Sequence, residues 1–104
     1  MVPALSQRER FEQVFEFARR QLRILITDHP GAGVDEACPA PIHTRDGRWL
    51  FEPDPWTSWC DGFLAGQLWL ICEQFQDPWF RQQALLHTRR LESRMMDPTV
   101  HDLG

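Results

Sequence analysis

The chain has 104 residues, a formal net charge of -4 and an apolar content of 42%. That length supports one modest core and excludes two domains, and the apolar content excludes wholesale disorder. The negative balance weighs against nucleic acid as the main partner, because backbone binding needs a basic face. All 11 positive charges are arginine, and five tryptophans and seven phenylalanines make a heavy aromatic load. The first twenty residues hold Arg8, Glu9, Arg10, Glu12 and Glu16 with no apolar leader core. No apolar run approaches a membrane span. Cys38, Cys60 and Cys72 match no zinc or redox spacing. These features together predict a cytoplasmic chain with free thiols and no membrane partner.

Ser6 followed by Glu9 forms a capping-box pattern. Beyond it, Phe11, Val14, Phe15, Ala18, Leu22, Leu25 and Ile26 recur at helical spacing. They predict a first helix over about 7–27 with one apolar face. His29-Pro30-Gly31 ends it.

Residues 28–57 carry Pro30, Pro39, Pro41, Pro53 and Pro55, which break any long period. Asp46-Gly47, between Ile42 and Trp49-Leu50-Phe51, predicts a small hairpin turn. A connection of this length is unusual inside a compact chain, and such loops often line sites.

A second helix is predicted over about 59–75, with Ser58 and Asp61 as candidate caps. Phe63, Leu64, Leu68, Ile71, Cys72 and Phe75 give it a broad apolar face, which Trp69 and Leu70 extend. Such a helix is expected to be buried on more than one side. Gly62 and Gly66 lower its helix propensity, and close backbone approach is the expected return. Asp77-Pro78 opens a third helix over about 78–95. Phe80, Ala84, His87/Thr88, Leu91 and Met95 follow its inner period, and Arg81, Gln82, Arg89 and Glu92 form a wet face. Asp97-Pro98 closes it. The fold class expected from these elements is all-α.

The residues richest in chemistry are Trp56, Trp59, Asp61, His101 and Asp102. Aromatic faces stack on sugar rings, and tuned carboxylates exchange protons. A histidine beside an aspartate can tune its pKa or bind an anionic group. His29 and His43 lie in turn-rich sequence without a spaced metal-ligand set. No zincin, phosphate-loop, nucleophile-elbow or EF-hand pattern is present. Each of these residues also has an ordinary structural explanation: Asp61 as a helix-start acid, Trp59 as core, His101-Asp102 as a loop end.

The run Trp59-Cys60-Asp61-Gly62-Phe63-Leu64-Ala65-Gly66-Gln67-Leu68-Trp69-Leu70 resembles the early signature of the unsaturated glucuronyl hydrolases, glycoside hydrolase family 88. His101-Asp102-Leu103-Gly104 is similar to a second motif of that family, in the same order and at a similar interval. Leu64 and Cys60 depart from the family pattern, where tryptophan and threonine are common. The resemblance covers about 50–104 well and the first fifty residues only by helix pattern.

It implies an (α/α)6 barrel of which this chain is an incomplete, N-terminal part within a single domain, about three helices with a long proline-rich loop. It implies Asp102 as an active-site carboxylate, His101 and Trp59 as substrate-binding residues, and Asp61, Gly62, Phe63 and Gly66 as structural residues. The implied reaction hydrates the C4–C5 double bond of a 4,5-unsaturated uronic acid. A proton goes to C4, water adds at C5, and the hemiketal opens to release the neighbouring sugar. No metal or organic cofactor is implied. The implied partners are lyase-derived unsaturated uronic-acid oligosaccharides. The family's principal acid/base aspartate falls after the matched segments, so the 104-residue chain alone is expected to be inactive. Alternative readings are the related unsaturated rhamnogalacturonyl hydrolases, or a non-catalytic helical scaffold or carbohydrate-binding fragment. Self-association through exposed apolar helix faces is a further expectation.

Overall fold

The computed structural model describes residues 3–35, 38–41, 43–51 and 60–98. The fold is mostly helical, with one small open sheet of two strands. Nothing in it amounts to a complete barrel.

Helix α1 spans Gln7–Asp28. The Ser6 hydroxyl accepts from the Glu9 backbone N–H at 3.2 Å and donates to Glu9 Oε1 at 3.0 Å. One of the unpaired donors of the first turn is thereby satisfied. At the far end the His29 N–H closes on the Leu25 carbonyl. Leu22 and Leu25 are buried, and Phe15, Ala18 and Ile26 pack against the core. Phe11 and Val14 instead stand exposed, although their period matches the buried residues. Of α2, Gln74 comes beside Phe11 and Phe15, and Phe11 stays more than half exposed.

Turns at 29–35 lead to strands β1, His43–Arg45, and β2, Arg48–Leu50. They pair antiparallel with Thr44 opposite Trp49. Asp46 and Gly47 both take positive φ, 53° and 74°, which is the primed turn that suits strand twist.

Helix α2 spans Phe63–Phe75. It begins later than the pattern indicates, because Cys60–Gly62 form a tight turn and Gly62 is the N-cap. Among the described residues no side chain is seen to cap it: the Asp61 carboxylate goes to Arg94 instead, and Ser58 lies outside the described residues. Leu64, Ala65, Leu68 and Ile71 are buried, whereas Trp69 and Leu70 are exposed. Within the described fold α2 is buried on one side, not on more than one as its broad apolar face suggests. Gly66 corrects the expectation of close approach: a Cβ built on it would meet nothing within 4 Å among the described residues.

Gln76 turns the chain in the left-handed region, φ 51°, with its N–H on the Cys72 carbonyl. Helix α3, Pro78–Arg90, follows at once, and the Asp77 carboxylate accepts from the Trp79 N–H at 2.9 Å. A 3₁₀ turn over Leu91–Arg94 succeeds α3, so the regular helix stops short of Met95, which is exposed. Phe80, Leu68 and Ala84 are fully buried between α2 and α3. Phe80 and Leu68 each contribute roughly 1.5–3 kcal/mol through burial. The Trp69 indole N–H, by contrast, bonds Thr88 Oγ1 at 2.9 Å on the outside of the same pair.

Candidate functional site

In an antiparallel helix pair the start of the first helix and the end of the second lie together. Here the junction is fixed by charge. Arg94 Nη1, in the 3₁₀ turn after α3, donates to Asp61 Oδ2, in the turn before α2, at 2.7 Å. Both side chains are largely buried, 24% and 12% exposed. Such a pair is expensive to break one partner at a time, because the survivor is left as a buried charge. The Arg94 Nε is also buried and has no partner among the described residues.

Asp61 therefore makes a structural ion pair, and Gly62 caps α2 beside it. Phe63 opens the helix on its exposed side, and Gly66 lies open one turn later. Trp59, His101 and Asp102 lie outside the described residues.

A groove of about 630 Å³ runs between α1 and α2. Val14, Phe17 and Ile24 line one wall, Leu64, Leu70 and Ile71 the other, with Gln21 and Gln67 among the few polar groups. Phe17 and Ile24 remain 57% and 52% exposed. A surface of this kind accepts apolar matter, and Asp28 and His29 add titratable groups to its lining.

The third feature is His87, buried on α3 at 3% exposure. Its Nδ1 lies 2.7 Å from the Gln83 carbonyl oxygen, so that nitrogen carries the proton. Nε2 is buried without a bonded partner among the described residues. Gly33 packs on the ring so tightly that a Cβ there would sit 2.9 Å from His87 Cδ2. Burial is the main force pushing the imidazole below its ordinary pKa, and the Arg90 charge adds to it. The Gln83 and Ala32 carbonyls oppose both. His87 lies on the inner period of α3 in the sequence, but only the packing of Ala32 and Gly33 against it makes it a buried ring.

Among the described residues, no group of three or more histidine, cysteine or acidic side chains is placed to hold a metal. Cys38, Cys60 and Cys72 are free thiols. No described helix is long and apolar enough to cross a membrane. Comparison with known proteins finds no matching family model, no matching curated protein and no matching solved structure.

Proposed function

We propose that this chain is of the unsaturated glucuronyl hydrolase type and contributes one edge of a site that hydrates 4,5-unsaturated uronic acids. The observation that carries the reading is the Asp61–Arg94 ion pair, at 2.7 Å. It ties the start of α2 to the exit of α3. The chain therefore leaves the described fold toward Trp59 and toward His101-Asp102 from one end of the helix pair. Asp61 in the first resembling motif and Arg94, which leads in sequence to the second, are in contact, and that contact supports reading the motifs as parts of one sugar site.

In this reading Trp59 supplies a flat apolar face for the sugar ring. His101 recognises the uronate carboxylate, and Asp102 is one of the carboxylates around the reacting C4–C5 bond. The proton added to C4 and the water added to C5 together make the hemiketal, whose opening frees the neighbouring sugar. Asp61, Gly62, Phe63 and Gly66 shape the turn and first helical turns that hold this edge.

A chimera tests the reading. Residues 59–104 replace the matching segment of a working unsaturated glucuronyl hydrolase, and loss of the substrate double bond's ultraviolet absorbance is followed. Turnover is expected, and Asp102→Asn within the chimera is expected to lower it by at least about 100-fold. Trp59→Ala is expected to act mainly on KM. A folded chimera without turnover, or one indifferent to Asp102→Asn, overturns the reading. A chimera that does not fold also counts against it, because the matched helices should fit the host barrel.

A further inference from the structure

One stripe of α1 is symmetrical about its own middle. Arg10, Val14, Phe17, Gln21, Ile24 and Asp28 alternate spacings of four and three, which places them along one seam of the helix. All six are exposed, and Val14, Phe17 and Ile24 are 61%, 57% and 52% exposed. Val14, Phe17, Gln21, Ile24 and Asp28 also line the groove beside α2. An antiparallel copy of the same helix sets Arg10 opposite Asp28, Val14 opposite Ile24, and Phe17 opposite Gln21. Each end of the seam then carries a pair of opposite charges, and the apolar residues meet between them.

The charges at the ends of α1 point the same way. Arg10 stands near the helix N-terminus and Asp28 in the last turn, and each opposes the helix dipole. Neither side chain has an ion-pair partner among the described residues. Both signs are unfavourable within the single helix and complementary between two antiparallel copies. Gln21 adds orientation, because one polar residue in an apolar seam restricts the register.

We propose that α1 is a self-recognition element: two copies of this chain dock antiparallel along the Arg10–Asp28 seam, each α1 entering the groove that α2 flanks in the other. The inference goes beyond the hydrolase reading and does not rest on it.

Sedimentation of the 104-residue chain over a range of micromolar concentrations tests it, with circular dichroism to establish that each variant is helical. A monomer–dimer equilibrium is expected, and Phe17→Asp should leave only monomer. Arg10→Glu alone and Asp28→Arg alone should each weaken dimerisation about fivefold, the scale of two exposed ion pairs. Arg10→Glu combined with Asp28→Arg should restore it to within about twofold of the parent. Both substitutions improve the match to the helix dipole, so a loss cannot come from melting α1. A parallel dimer sets like charges together in the parent, in either single variant and in the double variant alike, and gives no weakening followed by rescue. A chain that stays monomeric, or singles that leave the dimer unchanged, or a double variant that fails to recover, overturns the proposal.

Discussion

Arg19 of α1 places its Nη2 2.9 Å from Asp77 Oδ2, while Oδ1 of the same carboxylate takes the Trp79 N–H that starts α3. One side chain thus both caps a helix and anchors a second one. The Arg19 guanidinium also lies 4.4 Å from the centre of the Phe75 ring, and Arg23 lies 4.4 Å from the centre of the Trp79 ring. Two arginines of α1 therefore clasp the α2–α3 corner through charge and aromatic faces together.

Removing that carboxylate should cost more than a cap. Asp77→Ala is expected to destabilise the fold by about 1–3 kcal/mol, since the cap is worth about 1 and Arg19 loses a part-buried partner. Urea unfolding followed by tryptophan fluorescence measures it. The pH dependence has a definite sign. Burial pushes the Asp77 carboxyl up, but the Arg19 hydrogen bond, the Trp79 and Phe80 N–H groups and the Arg19 charge together hold it below its ordinary 3.8. The native state then releases this proton more readily than the unfolded chain. The associated stability is present above pH 3.8 and is lost as pH falls through the lower folded value. Asp77→Asn should remove that part of the acid limb.

His87 should act in a higher window. Its folded pKa lies below the ordinary 6.5, chiefly through burial, so the unfolded chain binds the proton more readily. Stability is fully present above pH 6.5 and declines as pH falls from there toward the folded value. His87→Leu should flatten this segment of the stability curve. At pH 8 its effect should stay within about 1 kcal/mol, because the lost Nδ1 bond is offset by removal of an unpaired buried nitrogen. Proton NMR of the imidazole resonances in the parent chain reports the same titration directly.

Two glycines should respond in opposite directions to alanine. Gly33 has φ 74°, and its new Cβ would meet His87 Cδ2 at 2.9 Å and Ala40 Cβ at 3.2 Å. Gly33→Ala is expected to cost about 1–3 kcal/mol, from left-handed backbone and crowding together. Gly66 sits within α2 with open space around it. Gly66→Ala should stabilise the chain by about 0.5–1 kcal/mol through helix propensity. Thermal unfolding of the two variants beside the parent checks both signs.

Local chemistry made several elements legible in the sequence. Ser6 caps α1, Asp77-Pro78 opens α3, and Asp46-Gly47 makes the hairpin turn, each through groups within a few residues. Asp61 misled for the same reason: its place at a helix start suits a cap, yet its carboxylate is taken by Arg94 from far along the chain. The burial of His87 likewise depends on Ala32 and Gly33 packing against α3. The proposed site was legible only as motifs, because Trp59, His101 and Asp102 fall outside the described residues.

By itself, then, the sequence determined that the helices and the small turn would form, though not where α2 begins or α3 ends, because periodicity, caps and glycine conformations act over one or two turns. It also determined that α1 and α2 carry more apolar surface than one modest core consumes. Tertiary structure alone decided which part of that surface is covered. It buried Leu22, Leu25, Leu68 and Phe80 together and left Val14, Phe17, Ile24 and Leu70 in the open. The reason is geometric: a neighbouring helix covers one face of α1, and Phe17 and Ile24 lie on an adjoining face of the same stretch that holds Leu22 and Leu25. The same long-range packing chose Arg94 for Asp61 and Arg19 for Asp77, pairings that no local spacing encodes.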